Sequence, residues 1–155
     1  GYTHINFGAV WGWRMLSPRW QGLWGGEMNT NSLPLAYNKP KMNKAAIIMT
    51  DGANTQNSSV RTAYGYPSEG ILGTTSTYWG ARELDDRLTE VCTEMKDNNI
   101  IIYTVVFGNI GATSENMMRS CATQGSFYFH SPDAATLQQA FKTIGDSLSN
   151  LRVSK

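Results

Sequence analysis

Apolar positions along the chain follow two rhythms. Ile5 to Leu16 is an aromatic-rich stretch that predicts a helix, and Ser17-Pro18 ends it, because the residue before a proline avoids the helical region. Glu83 to Asp97 predicts a second helix, with Leu84, Leu88, Val91 and Met95 on one face. Asn98-Asn99, tolerant of left-handed geometry, stop it. Ala45 to Thr50 and Ile100 to Phe107 are short apolar runs closed by Asp51-Gly52 and Gly108, the pattern of buried strands ending in turns. The second run is β-branched and almost wholly apolar, as a strand buried on both faces must be. A shorter helix is predicted around Ser114 to Ala122 with Ser114 as its N-cap, then a brief aromatic strand from Ser126 to Phe129. Ser131-Pro132 has the form of a helix start, and the last helix runs to about Leu151 with Leu137, Phe141, Ile144, Leu148 and Leu151 as its stripe.

Helices and strands therefore alternate, which predicts a single α/β domain with parallel strands and helical crossovers, a Rossmann-like three-layer arrangement. Two irregular segments interrupt it. Residues 18–43 hold Gly25-Gly26, Pro34, Pro40 and many Asn, Ser and Thr, all turn formers. Residues 52–81 are rich in Gly, Ser, Thr and Tyr, and a structureless stretch of that length is more often a functional or family-specific insertion.

Composition narrows the function. Of 155 residues, 41% are hydrophobic, enough for a real core, and only 16% are charged, against a usual share of about 25%. The net charge is +1 with no block of like sign, so the reading excludes nucleic acid and anionic membrane surfaces as partners held by diffuse electrostatics. No apolar run is long enough to span a bilayer and no signal peptide opens the chain. Gly1 is no initiator, so the expectation is an excised or processed piece whose export signal lies upstream.

Several segments resemble one family. Lys-Ala-Ala-Ile-Ile-Met-Thr-Asp-Gly (44–52) is similar to the fourth strand and turn of von Willebrand factor type A domains. Residues 98–108 resemble the next strand, and residues 125–148 the last strand and helix. Within that superfamily the segments 11–18, 50–55, 84–92 and 151–155 resemble TadG-like proteins of the bacterial tight-adherence pilus system. The family's domain opens with a strand ending in Asp-x-Ser-x-Ser, which is not among these residues. The resemblance thus implies the C-terminal part of such a domain, starting at the family's second metal loop, with the N-terminal portion missing.

The resemblance implies a site as well. Asp51, at the end of a parallel strand, matches an aspartate that helps hold a divalent cation such as Mg²⁺, and Thr3 matches the family's threonine. Read without the resemblance, Asp51 merely turns the chain and Thr3 caps the first helix. With the aspartate and two serines of the first loop absent, the expectation is a partial site with weak or no metal binding. Asn54 and Thr55 are candidates to support it. His4 and His130 read as surface or turn residues. Trp11, Trp13, Trp20 and Trp24 form either a binding surface or, more often for such residues, core. The methionines read as gap fillers.

The function expected is non-catalytic: a binding and assembly module of a bacterial envelope pilus, recognising a protein partner through its strand-end loops. It would sit on the periplasmic or extracellular side, anchored through the missing N-terminal region. The alternative is a metal-dependent adhesion domain for a surface ligand. A hydrolase built on Asp51 lacks a paired carboxylate, a nucleophile elbow and a phosphate loop. Right-handed crossovers place the helices bearing Cys92 and Cys121 on the same sheet face, so the expectation in an exported protein is a Cys92–Cys121 disulfide, the alternative being two buried thiols. Ala45–Thr50, without the family's first strand beside it, leaves an edge open to self-association.

Overall fold

The computed structural model describes residues 2–153, and side chains as far as Asn150. In chain order the elements are α1 (Ile5–Leu16), α2 (Gly26–Thr30), β1 (Lys44–Thr50), α3 (Thr77–Asp97), β2 (Ile100–Phe107), α4 (Ala112–Cys121), β3 (Tyr128–Ser131) and α5 (Ala134–Val153), with 3₁₀ turns at Pro18–Trp20, Pro67–Glu69 and Gly125–Phe127. The three strands form one parallel sheet in the order β1-β2-β3. Lys44 pairs with Ile100 through to Thr50 with Val106, and Thr104 with Tyr128 through to Phe107 with Ser131. The protein is thus mixed α/β with a parallel sheet and crossover helices, compatible with a Rossmann-like arrangement.

The central strand explains its own composition. Ile100, Ile102 and Val106 face a core shared with Ile5 and Ala9 of α1, Leu88, Cys92 and Met95 of α3, and Met118 and Cys121 of α4. The alternate residues Tyr103 and Val105 pack with Ile144 of α5 on the opposite face. Neither face of β2 meets water, so neither tolerates a polar residue unless it is satisfied. Thr104, fully buried, meets that condition by donating to the Met118 carbonyl at 2.9 Å. Successive right-handed crossovers lay α3 and α4 on one face, and Cys92 and Cys121 are joined there as a disulfide with Cα atoms 5.2 Å apart.

Lys44, at the start of β1, is buried although charged. Its ammonium donates to the carbonyls of Leu16 and Leu35, and it lies 5.2 Å from the Tyr37 ring. It so ties the end of α1 and the 18–43 segment to the sheet. Burial holds its pKa below the ordinary lysine value, while the two carbonyls satisfy the charged form.

Four element starts differ from the sequence reading by two residues or more. α3 begins at Thr77 instead of Glu83, because the Ser76 hydroxyl caps it by accepting from the Trp79 amide. Its first turn exposes Tyr78 and Trp79, so no apolar stripe announces it. α4 begins at Ala112 after Gly111, with Ser114 buried inside the helix and not capping it. β3 starts at Tyr128 because Gly125–Phe127 is a 3₁₀ turn. α5 starts at Ala134: the Asp133 carboxylate accepts from the Thr136 amide at 2.8 Å and the Thr136 hydroxyl accepts from the Asp133 amide at 3.3 Å, a cap that Ser131-Pro132 does not supply. Leu151, the last position of the predicted stripe, lies outside the residues whose side chains are described, as does the whole segment 151–155. Among the described residues no helix is long and apolar enough to cross a membrane.

Candidate functional site at the strand ends

Parallel strands end together, and the residues after β1, β2 and β3 gather on one side of the sheet. After β1, the Thr50 hydroxyl accepts from the Gly52 amide at 3.2 Å and donates to the Gly52 carbonyl at 2.7 Å. Thr50 thereby holds the turn, and Asp51 is exposed with no hydrogen bond to its carboxylate among the described residues. The side chain that holds the Asp51-Gly52 turn is therefore that of Thr50, the residue before it.

Thr3 comes to the same place. It forms a parallel bridge with Asn54, its amide donating to the Thr55 hydroxyl at 3.0 Å and its carbonyl accepting from the Thr55 amide at 3.0 Å. Its own hydroxyl lies against Gly52, 3.3 Å from where a Cβ would stand. Thr3 therefore does not cap α1. The N-cap position is His4, whose side chain makes no capping bond.

The cap arrives from a distant segment. Asn54, 6% exposed, accepts from the Ile5 amide through Oδ1 at 2.7 Å, and its Nδ2 donates to Asp85 Oδ1 at 2.8 Å. One side chain thus latches the start of α1, the 52–57 segment and α3 together. Burial raises the Asp85 pKa and nearby Asp86 adds to that, while the Asn54 hydrogen bond and Arg82 pull it back. His4 is half-buried, and burial lowers its pKa against an opposing hydrogen bond to the Thr55 backbone. Its Nε2 is buried without a partner. Beside it the fully buried Asn6 donates to the Tyr64 hydroxyl at 2.7 Å, and Tyr64 lies under the Arg87 guanidinium, itself held at 2.8 Å by Glu83. The 52–76 segment is therefore pinned by side chains in place of regular structure.

The remaining sequence-predicted residues divide. His130, exposed, bonds the Gly108 carbonyl at 2.8 Å and so joins the ends of β2 and β3. Trp13 packs on the core and donates to the Tyr37 hydroxyl at 2.8 Å. Trp11, Trp20 and Trp24 instead form a surface ladder, with Trp20 stacked on Trp24 at 5.3 Å and the Arg14 guanidinium 4.7 Å from Trp11. Met95 and Met118 fill the core, whereas Met15 and Met49 are exposed. Asp85 escaped the sequence reading because nothing on its own helix marks it; its partner is 31 residues away.

The donor set at the strand end is one carboxylate, Asp51, and one free hydroxyl, Thr3, since the Thr50 hydroxyl is spent on the turn. Among the described residues no group of three or more His, Cys, Asp or Glu stands together. Mg²⁺ demands near-octahedral oxygen ligation, and a single charged ligand leaves most positions to water, so these residues alone do not fit a tight site.

No protein-family model matches the chain, and no curated protein matches it. Among solved structures it is similar to proximal thread matrix protein 1 from the mussel byssus, at 12% identity and a TM-score of 0.39, over 78% of this chain and 22% of that one.

Proposed function

We propose that the chain is a binding and assembly module, the C-terminal part of a von Willebrand factor type A-like domain of the TadG-like kind, acting in a bacterial tight-adherence pilus. In this reading it works outside the cytoplasm, held to the envelope by a region upstream, and engages a protein partner without catalysis. The observation that carries it is the strand-end surface. Asp51 is presented there free and exposed on a turn locked by Thr50, above an Asn54 latch that fixes three separate elements. Rigid loops at the carboxyl ends of parallel strands are where ligands collect in open α/β sheets. A photo-crosslinking residue in place of Asp51, compared with one in place of the exposed Lys142 on α5, tests the reading in envelope extract. A discrete protein adduct specific to position 51 supports it; equal adducts from both positions, or none, reject it.

A second reading, a metal-dependent adhesion site, is favoured by one observation: the Thr3 hydroxyl and the Asp51-Gly52 turn are brought into contact from opposite ends of a long sequence gap. Asp51 and Thr3 would then be two of the ligands, and a partner or an upstream segment would have to supply the others.

A further inference from the structure

At the end of the sheet opposite Asp51, where Lys44 bonds the Leu16 carbonyl, the last turns of α1 and the 3₁₀ turn after it wall a cavity of about 410 Å³. It is lined by Val10, Trp13 and Arg14 of α1, then Ser17, Arg19 and Trp20. Helical spacing puts Val10, Arg14 and Ser17 on the flank that begins with Asn6, which bonds Tyr64 beside α3. Gly8 and Gly12 fall on the opposite flank, toward the outer edge of β1. The cavity is therefore built by this chain alone and does not depend on what covers that edge. Its unused polar groups are all donors. The Arg14 guanidinium lies 4.7 Å from the Trp11 ring and 5.2 Å from the Trp20 ring, and Trp20 is stacked on Trp24 at 5.3 Å. The rings hold the Arg14 fork in place and take none of its N–H groups. Among the described residues neither Arg14 nor Arg19 has an ion-pair partner or a side-chain hydrogen bond. The two guanidiniums thus offer about ten N–H donors with no protein acceptor. Ser17, 7% exposed, accepts from the Arg19 amide at 3.4 Å and keeps its own hydroxyl proton free to donate. One ring away the buried indole N–H of Trp24 also lacks an acceptor. No acidic side chain lines the cavity. Trp13 gives its N–H to the Tyr37 hydroxyl at 2.8 Å, so it contributes apolar ring surface.

We propose that this cavity binds an acidic sugar, a carboxylate or phosphate carried on one hydroxyl-bearing ring. A pocket that offers donors and no acceptors selects an oxyanion. The planar guanidinium fork matches carboxylate and phosphate oxygens two at a time, and a fork already clamped between indoles loses little rotamer freedom when it does so. The volume lies near the lower end of small-ligand pockets, roughly 300–1,000 Å³, which leaves room for a single ring beside the anion. Trp13 and Trp20 supply apolar surface for the C–H face of that ring. The Ser17 hydroxyl and the remaining guanidinium N–H groups require oxygens on the body of the ligand, and a hydrocarbon or aromatic acid would leave them unpaired. The chain's net charge of +1 gives no long-range attraction, so recognition rests on this local constellation. The site lies at the other end of the sheet from the strand-end loops and stands whether or not those loops bind a partner.

The test titrates the full chain with glucuronate and with glucose 6-phosphate, followed by ¹H–¹⁵N spectra of its five tryptophan indoles. Trp79, exposed on the first turn of α3, is the internal control. One or both acids shift the Trp13 and Trp20 signals saturably, with a Kd of about 1 mM, and leave Trp79 in place. Which of the two binds more tightly distinguishes carboxylate from phosphate. Glucose lacks the anion, acetate and inorganic phosphate lack the ring, and phenylacetate lacks the hydroxyls; each binds at least roughly tenfold more weakly. Arg14→Gln weakens binding by about tenfold or more. Arg14→Lys keeps a cation beside the indoles and loses as much, because an ammonium has no planar fork. Unchanged β2 amide signals report that both variants are folded. Arg19→Gln, at an exposed position, lowers the affinity severalfold without touching the indole stack. The proposal is overturned if neither acid gives a saturable shift or if Trp79 moves with the others. It is equally overturned if the arginine variants keep full affinity, or if acetate, inorganic phosphate or phenylacetate binds as tightly as the acidic sugars.

Discussion

Removing the Cys92–Cys121 bridge gives the sharpest measure of what holds this sheet to its helices. The bond joins α3 to α4 across a sequence separation of 29, and both residues lie in the main core at 1% and 2% exposure. In the chain-entropy model a loop of that size restricts the unfolded ensemble by roughly 3.5 kcal/mol at 25 °C. Truncation to alanine adds a separate loss of packing, about 1 kcal/mol for a methyl-sized void. The two contributions separate in a double-mutant cycle. Cys92→Ala and Cys121→Ala each break the bridge and each cost roughly 4–5 kcal/mol, whereas the double variant adds only a second packing loss. The singles therefore sum to about 3–4 kcal/mol more than the double. For a domain of this size the single variants melt roughly 8–20 °C lower. Urea denaturation of the three variants and the parent, with thiol alkylation under denaturing, non-reducing conditions, supplies the cycle. Strictly additive singles, or two alkylatable thiols in the unreduced parent, would refute the reasoning.

Three further outcomes follow from the strand-end geometry. Asn54→Ala strips the cap from α1 and leaves Asp85 without its donor, so the chain loses about 1–2 kcal/mol, read from denaturant midpoints; amides of the first turn of α1 exchange faster while those of β2 do not change. For pH, His4 titrates below its ordinary 6.5 when folded, so the unfolded chain takes up the proton first and stability is lost as pH falls below that value. Asp85 titrates above its ordinary 3.8, so its contribution is complete below that value and is lost as pH rises through the folded one. His4→Gln thus gains on the parent as pH falls from about 7 to 5, and Asp85→Asn gains as pH rises from about 4 to 7; parallel pH curves for parent and variants would count against both assignments. Calorimetric titration with Mg²⁺ and Mn²⁺ gives at most weak binding, abolished by Asp51→Ala, and tight stoichiometric binding that survives the substitution contradicts the two-ligand site.

What the chain's pattern reveals and what it hides have the same physical cause. β2 is legible because every one of its residues answers to a neighbouring layer, and the apolar run Ile100 to Phe107 has no other explanation. Leu84, Leu88 and Met95 are legible for the same reason, since one face of α3 is buried along its length. The first turn of α3 is not, because Tyr78 and Trp79 point to solvent and impose no period. The 52–76 segment is hidden for a different reason. Its order rests on Asn54, Asn6 and Tyr64 reaching partners far away in sequence, and no local window contains both ends of such a bond. The Asp51-Gly52 turn was legible as a turn, but the side chain that holds it is the threonine before it.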